Sequence, residues 1–152
     1  MLDGLPAIVD VEIEYSRGAM IKRRRDGRVD FVSPLPCPYN YGSIPGFVSG
    51  DGDALDVVVL GARVPVGTRL RLPVVAVLDF IDDGCLDPKV ICSEAPLSRP
   101  QRAGLRLFFA VYAAFKRALA RARGSRRSTR CAGWREPAQP SGAGGTGGHE
   151  RA

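Results

Sequence analysis

The chain has 152 residues, 45% of them apolar, and a net charge of +6, with a pI near 9.5. That length and composition suit one globular domain with a real core and exclude a wholly disordered polar chain. The charge is uneven: residues 1–100 carry 11 basic and 14 acidic residues, net −3, whereas residues 101–152 carry 11 and 2, net +9, so the basic pI belongs to the last third. Apolar runs at 57–60 and 74–78 are strand-length and too short to cross a bilayer. The start, MLDGLPAIVDVEIEY, has neither the basic region nor the continuous apolar run of a signal peptide, so a cytoplasmic location is expected. Four cysteines without a CxxC pair, and one histidine in the glycine-rich end, offer no zinc site or disulfide framework; reduced thiols are expected.

Residues 8–15, IVDVEIEY, alternate with period two: Val9, Val11, Ile13 and Tyr15 on one face, Asp10, Glu12 and Glu14 on the other. This predicts a half-buried strand. MIKRRRDGRVDFV reads as a hairpin turning at Asp26-Gly27. SPLPCPYNYGSIPG holds four prolines, at 34, 36, 38 and 45, which rules out helix and predicts a rigid, shaped loop. Strands are expected at 55–60 and about 68–80, and DDGCLDPKVIC as an acidic turn returning into a strand. The period then changes. Leu105, Phe108, Phe109, Tyr112, Phe115 and Leu119 follow helical spacing, predicting an amphipathic helix that Pro100 opens and Gly124 closes. Residues 137–152, rich in Gly and Pro, cannot bury a core and are expected to be a disordered tail after a domain spanning 1–136. The pattern predicts an α+β, mainly β fold: a small closed or partly closed β-barrel, OB-like, of about five strands, flanked by the amphipathic helix.

The stretch GDGDALDVVVL crowds Asp51, Asp53 and Asp56 at the mouth of a buried strand. Acidic turns are ordinarily solvated, but a second one holds Asp82, Asp83 and Asp87, with Lys89 two residues on. Asp51 and Asp53, two apart, would point the same way in extended backbone. Carboxylates without His or Cys form a hard-oxygen set suited to Mg²⁺ or Mn²⁺. Lys22, Lys89, Arg28, Tyr41 and Tyr112 would add cations and phenols for anionic oxygens, the equipment of phosphoryl transfer; Tyr112, on an apolar helical stripe, also suits the core.

PCPYNYGSIPGFVSGDGDALDVVVLG resembles the signature region of family I soluble inorganic pyrophosphatases, with Asp51, Asp53 and Asp56 carrying its Asp-x-Asp-x-x-Asp pattern. VLDFIDDGCLDPK keeps the family spacing of Asp82, Asp87 and Lys89; FFAVY ending in Tyr112, Gly133-Trp134, Glu14 in EIEY and Lys22 in MIK extend the likeness over roughly 8–134. The resemblance implies hydrolysis of pyrophosphate to two phosphates with three or four Mg²⁺ ions, Mn²⁺ being a possible substitute. It implies that Asp51, Asp56 and Asp87 bind activating metals, with Asp56 bridging two. Asp53 would take the proton of the attacking water, and Asp82, Asp87 and Glu14 would serve metals carried by the substrate. Lys22, Tyr41, Lys89 and Tyr112 would hold the phosphates. A homo-oligomer, a hexamer as in bacterial members, is also implied, and no membrane partner.

The chain departs from the family pattern in places. Ala113 stands where the family has a phosphate-binding Lys, and Lys116, one helical turn from Tyr112, is the residue to compensate. Arg28 is the candidate for an arginine with no aligned counterpart, and the Gly-rich end replaces an expected helix. Two other readings stand beside hydrolysis: a catalytically impaired pyrophosphatase-like metal-binding protein, kept open by Ala113, and a nucleic-acid-binding β-barrel using the basic last third. The latter lacks a row of exposed aromatics for stacking, so nucleic acid is not an expected partner.

Overall fold

The computed structural model describes residues 4–23, 26–32, 35–124 and 128–136. The tail at 137–152 and the side chain of Lys22 lie outside the described residues. In chain order the elements are β1 (Ile8–Tyr15), β2 (Ile21–Arg23), β3 (Val29–Val32), β4 (Asn40–Val48), β5 (Ala54–Val59), β6 (Arg69–Asp82), β7 (Cys85–Leu86), β8 (Lys89–Cys92), α1 (Arg99–Ala122) and β9 (Arg130–Arg135).

Five of these strands close on themselves in the order β1-β4-β5-β8-β6, with β6 returning to β1. All pairings in the ring are antiparallel except β5–β8, which is parallel. The result is a closed, mixed, OB-like five-stranded barrel with one helix among the described residues, the mainly β fold that the strand spacing predicts. β2 and β3 form the predicted hairpin as a separate two-stranded sheet, with Gly27 at φ 82° in its turn.

The period-two pattern sorts side chains to the two faces of the wall. In β5, Leu55, Val57 and Val59 fill the barrel with Val9, Val11, Ile13, Ile44, Leu72, Val74, Val77, Val90 and Cys92. Val58 points outward and joins Ala76, Leu78, Phe80, Ile91 and Leu97 under Leu105, Phe109 and Ala113 of α1. Asp56, two residues before Val58, shares that outer face, and so does Lys89, two residues before Ile91. Where β1 meets β4 the backbones approach so closely that a Cβ at Gly42 would stand 2.0 Å from the Glu12 carbonyl oxygen.

Several details differ from the sequence reading. The helix begins at Arg99, capped by Ser98, whose hydroxyl accepts from the Gln101 N–H while the Gln101 side chain accepts from the Ser98 N–H. Gly124, at φ 76°, follows its end as predicted. Phe115 is exposed and Ala113 is buried: with apolar residues on nearly every side of α1, periodicity alone misplaces the packed stripe. β6 runs on to Asp82, and the unpredicted β9 pairs with its far end.

Candidate active site

The barrel register builds the site. One row of cross-strand partners runs Arg69, Glu12, Ser43, Asp56, Lys89, Leu78, Trp134. Arg69 and Leu78 both belong to β6, nine residues apart, so the row circles the barrel and returns displaced by its stagger. α1 covers Leu78, and Asp56 and Lys89 lie at the border between the covered and open wall.

At that border Lys89, only 3% exposed, donates to Asp56 Oδ2 and to Asp87 Oδ2, the latter at 2.5 Å. Tyr41 donates its hydroxyl to Asp56 Oδ2 at 3.0 Å. Burial drives the Tyr41 phenol well above its ordinary range, and the charges of Asp56, Tyr112 and Asp87 add to the rise. Burial also raises the Asp87 carboxyl; Lys89 opposes this, while Asp56 and Asp51 add to it. For Lys89, burial favours the neutral amine, but Asp56 and Asp87 outweigh it and hold the ammonium above the usual lysine range.

The first acidic turn is tighter than an extended strand. Asp51 and Asp53 flank Gly52, at φ 91°, in a turn, so the same-side expectation from extended backbone does not hold. The Asp51 carboxylate accepts from the Ser49 hydroxyl and from the Asp53 N–H, the latter at 3.0 Å. Its modest burial alone would raise its pKa; these two hydrogen bonds and Lys89 lower it below the ordinary value. Asp53 is exposed at the rim.

The second acidic turn reverses at Asp83 and Gly84, φ 49° and 86°, a two-residue hairpin with both residues left-handed. Asp82 at its base pairs with Lys116 of α1. The Lys116 ammonium lies 5.6 Å from the Tyr112 ring centre; burial lowers its pKa, and Tyr112 and Asp82 more than restore it, against repulsion from Lys89. Tyr112 acting on Tyr41, and Lys89 acting on Lys116, join the two acidic turns into one electrostatic neighbourhood.

Glu14 accepts from the Ser43 hydroxyl at 2.6 Å. Arg28 is exposed on the hairpin and contacts Asp26, through its N–H at 2.9 Å and its Nε at 3.8 Å. Among the described residues no three potential ligands close on a single point. The donor set still fits a hard divalent cation: oxygen donors alone, with Asp87 raised first by burial and further by Asp56 and Asp51 although Lys89 already stands between it and Asp56. Sequence reasoning missed the hydroxyls that hold the acids: Ser43 on Glu14, Ser49 on Asp51 and Thr129 on Asp82. Only Ser49, two residues before Asp51, had a local signal.

These features define an OB-like barrel with a site of carboxylates, lysines and phenols on its outer wall. The family model for inorganic pyrophosphatase matches residues 9–105, and the chain belongs to that family. Among curated relatives it is 36% identical over 103 residues to a soluble inorganic pyrophosphatase of Oryza sativa subsp. indica, covering 61% of this chain and 48% of that protein. It is 36% identical over 98 residues to the inorganic pyrophosphatase of Aeropyrum pernix, covering 59% and 55%. The chain thus spans about half the length of the curated relatives it matches. Among solved structures, the inorganic pyrophosphatase of Thermus thermophilus superposes with a TM-score of 0.70 at 27% identity, over 88% of this chain and 85% of that one. That of Neisseria gonorrhoeae gives 0.68 at 25%, over 90% and 85%. The family match ends before Tyr112, Lys116 and Thr129, so their placement rests on the geometry.

Proposed function

We propose that this chain hydrolyses pyrophosphate to two orthophosphates with three or four Mg²⁺ ions, Mn²⁺ serving as a substitute. The observation that carries the reading is the register row that puts Asp56 and Lys89 side by side on the outer wall, with Asp87, Tyr41 and Asp51 around them. Asp51, Asp56 and Asp87 would hold the activating ions, and Asp82, Asp87 and Glu14 those that arrive with substrate. Bound ions lower the pKa of water and screen the charge of the substrate. Asp53, solvent-facing and tethered through its N–H to Asp51, takes the proton of the attacking water. Tyr41, kept protonated by burial, can donate to a phosphate oxygen. Lys89, Tyr112 and Lys116 would supply contacts to the phosphates, with Lys22, whose side chain lies outside the described residues, and Arg28 of the β2–β3 hairpin as further candidates.

The proposal includes a homo-oligomer, a hexamer. Leu107, Val111 and Phe115, at 66%, 53% and 36% exposure, line the outer face of α1. The stripe is symmetric about Val111 and free of charge, so a second copy crossing antiparallel meets Leu107 with Phe115. Four free thiols, two of them exposed, support a reducing, cytoplasmic setting.

The test is phosphate release from pyrophosphate with Mg²⁺, for the wild type and Asp53→Asn. Rapid release lost in the variant supports the reading; no release from folded wild-type protein overturns it.

A further inference from the structure

We infer that Thr129 is a positioning residue for the proposed hydrolysis: it fixes the Asp82 carboxylate so that Lys116 and an incoming cation–phosphate complex compete for one oxygen only. Thr129 is buried, just before β9. Its hydroxyl donates to Asp82 Oδ1 at 3.1 Å and accepts the Asp83 N–H at 3.2 Å. That hydroxyl therefore holds both the carboxylate and the strained residue behind it, whose φ is 49°. Thr129 is itself held, since Arg117 of α1 donates to its carbonyl at 2.8 Å and Gly84 N–H donates to the Ser128 carbonyl at 2.9 Å. The other oxygen, Oδ2, faces Lys116. An ammonium on a flexible stem can yield to a divalent cation, whereas a buried hydroxyl locked by two neighbouring segments cannot swing away. Helix, second acidic turn and the segment just before β9 thus converge on one carboxylate.

The inference rests on the pyrophosphatase reading, and its test separates the two. Calorimetry with methylenediphosphonate and Mg²⁺ measures binding to the wild type, Thr129→Val, Thr129→Ser, Asp82→Asn and the Val/Asn double variant. Thr129→Val should weaken binding roughly tenfold, the scale of a lost hydrogen bond to a charged group. Thr129→Ser should restore it, and the double variant should bind no worse than Asp82→Asn alone. Additive losses, or no loss in Thr129→Val, would overturn the positioning role and leave the activity untouched. Wild-type protein that binds the diphosphonate, shows the non-additive cycle and releases no phosphate would overturn hydrolysis and leave the positioning role standing.

Discussion

Single residues already divide labour by their surroundings. Lys89, buried on the outer face of the wall, neutralises two carboxylates, so Lys89→Met should lower stability by about 3–5 kcal/mol in denaturant melts, the cost of breaking a buried pair. The sign of its pH dependence follows from its raised pKa. Its stabilisation is complete below the ordinary lysine value of about 10.4 and is lost as pH rises through the higher folded value. Tyr41 acts in the same direction, so the protein should unfold on an alkaline limb, and Lys89→Met should flatten it; an unchanged limb would remove Lys89 as its source. Lys116→Ala should raise KM about tenfold or more, as expected for loss of a charge-assisted contact; an unchanged KM would assign Lys116 to Asp82 alone. The thiols separate by depth. Cys37 and Cys92 are buried, and burial pushes Cys92 up to about 12 and raises Cys37; Cys131 is raised too, against Arg117, but like Cys85 it is exposed, so maleimide at neutral pH should mark Cys85 and Cys131 and reach the other two only after unfolding, as peptide mass mapping would show.

Elements succeed or fail at the places where they touch. Phe109→Ala should cost about 3–5 kcal/mol, because its ring, 6.0 Å from that of Phe80, seats the helix on the barrel. Gly42→Ala should destabilise the β1–β4 seam, where backbone leaves no space for a methyl, and chemical denaturation would measure it. Leu107→Glu, on the opposite face of α1, should shift any oligomer to smaller species in sedimentation velocity and lower the melting temperature only as far as the lost association accounts for. The alternation in β1 and β5 was legible because each strand has one buried face. β9 was not: Arg130, Cys131, Ala132 and Arg135 are exposed outside the ring, so no buried alternation marks the strand. With β9 hidden, so was Thr129. The acids were legible through their spacing and charge, whereas the turn that separates Asp51 from Asp53 depends on Gly52 adopting a positive φ.

At the scale of the whole molecule, a chain ended after Glu136 should keep its melting temperature and the proposed phosphate release, since Glu136 still pairs with Arg102 and the sequence after it is rich in Gly and poor in apolar residues. The row from Glu12 through Ser43, Asp56 and Lys89 to Leu78 has a further consequence, for the order of events after dilution from denaturant. Each rung joins segments far apart along the chain, and β6 must meet both β1 and β8 before the ring is whole. Such non-local pairings form slowly, while a helix of 24 residues can form within microseconds. Stopped-flow ellipticity should therefore recover ahead of turnover, and a single shared phase would contradict this order. A half-folded chain should be silent, because the proposed site is not assembled until the last seam shuts.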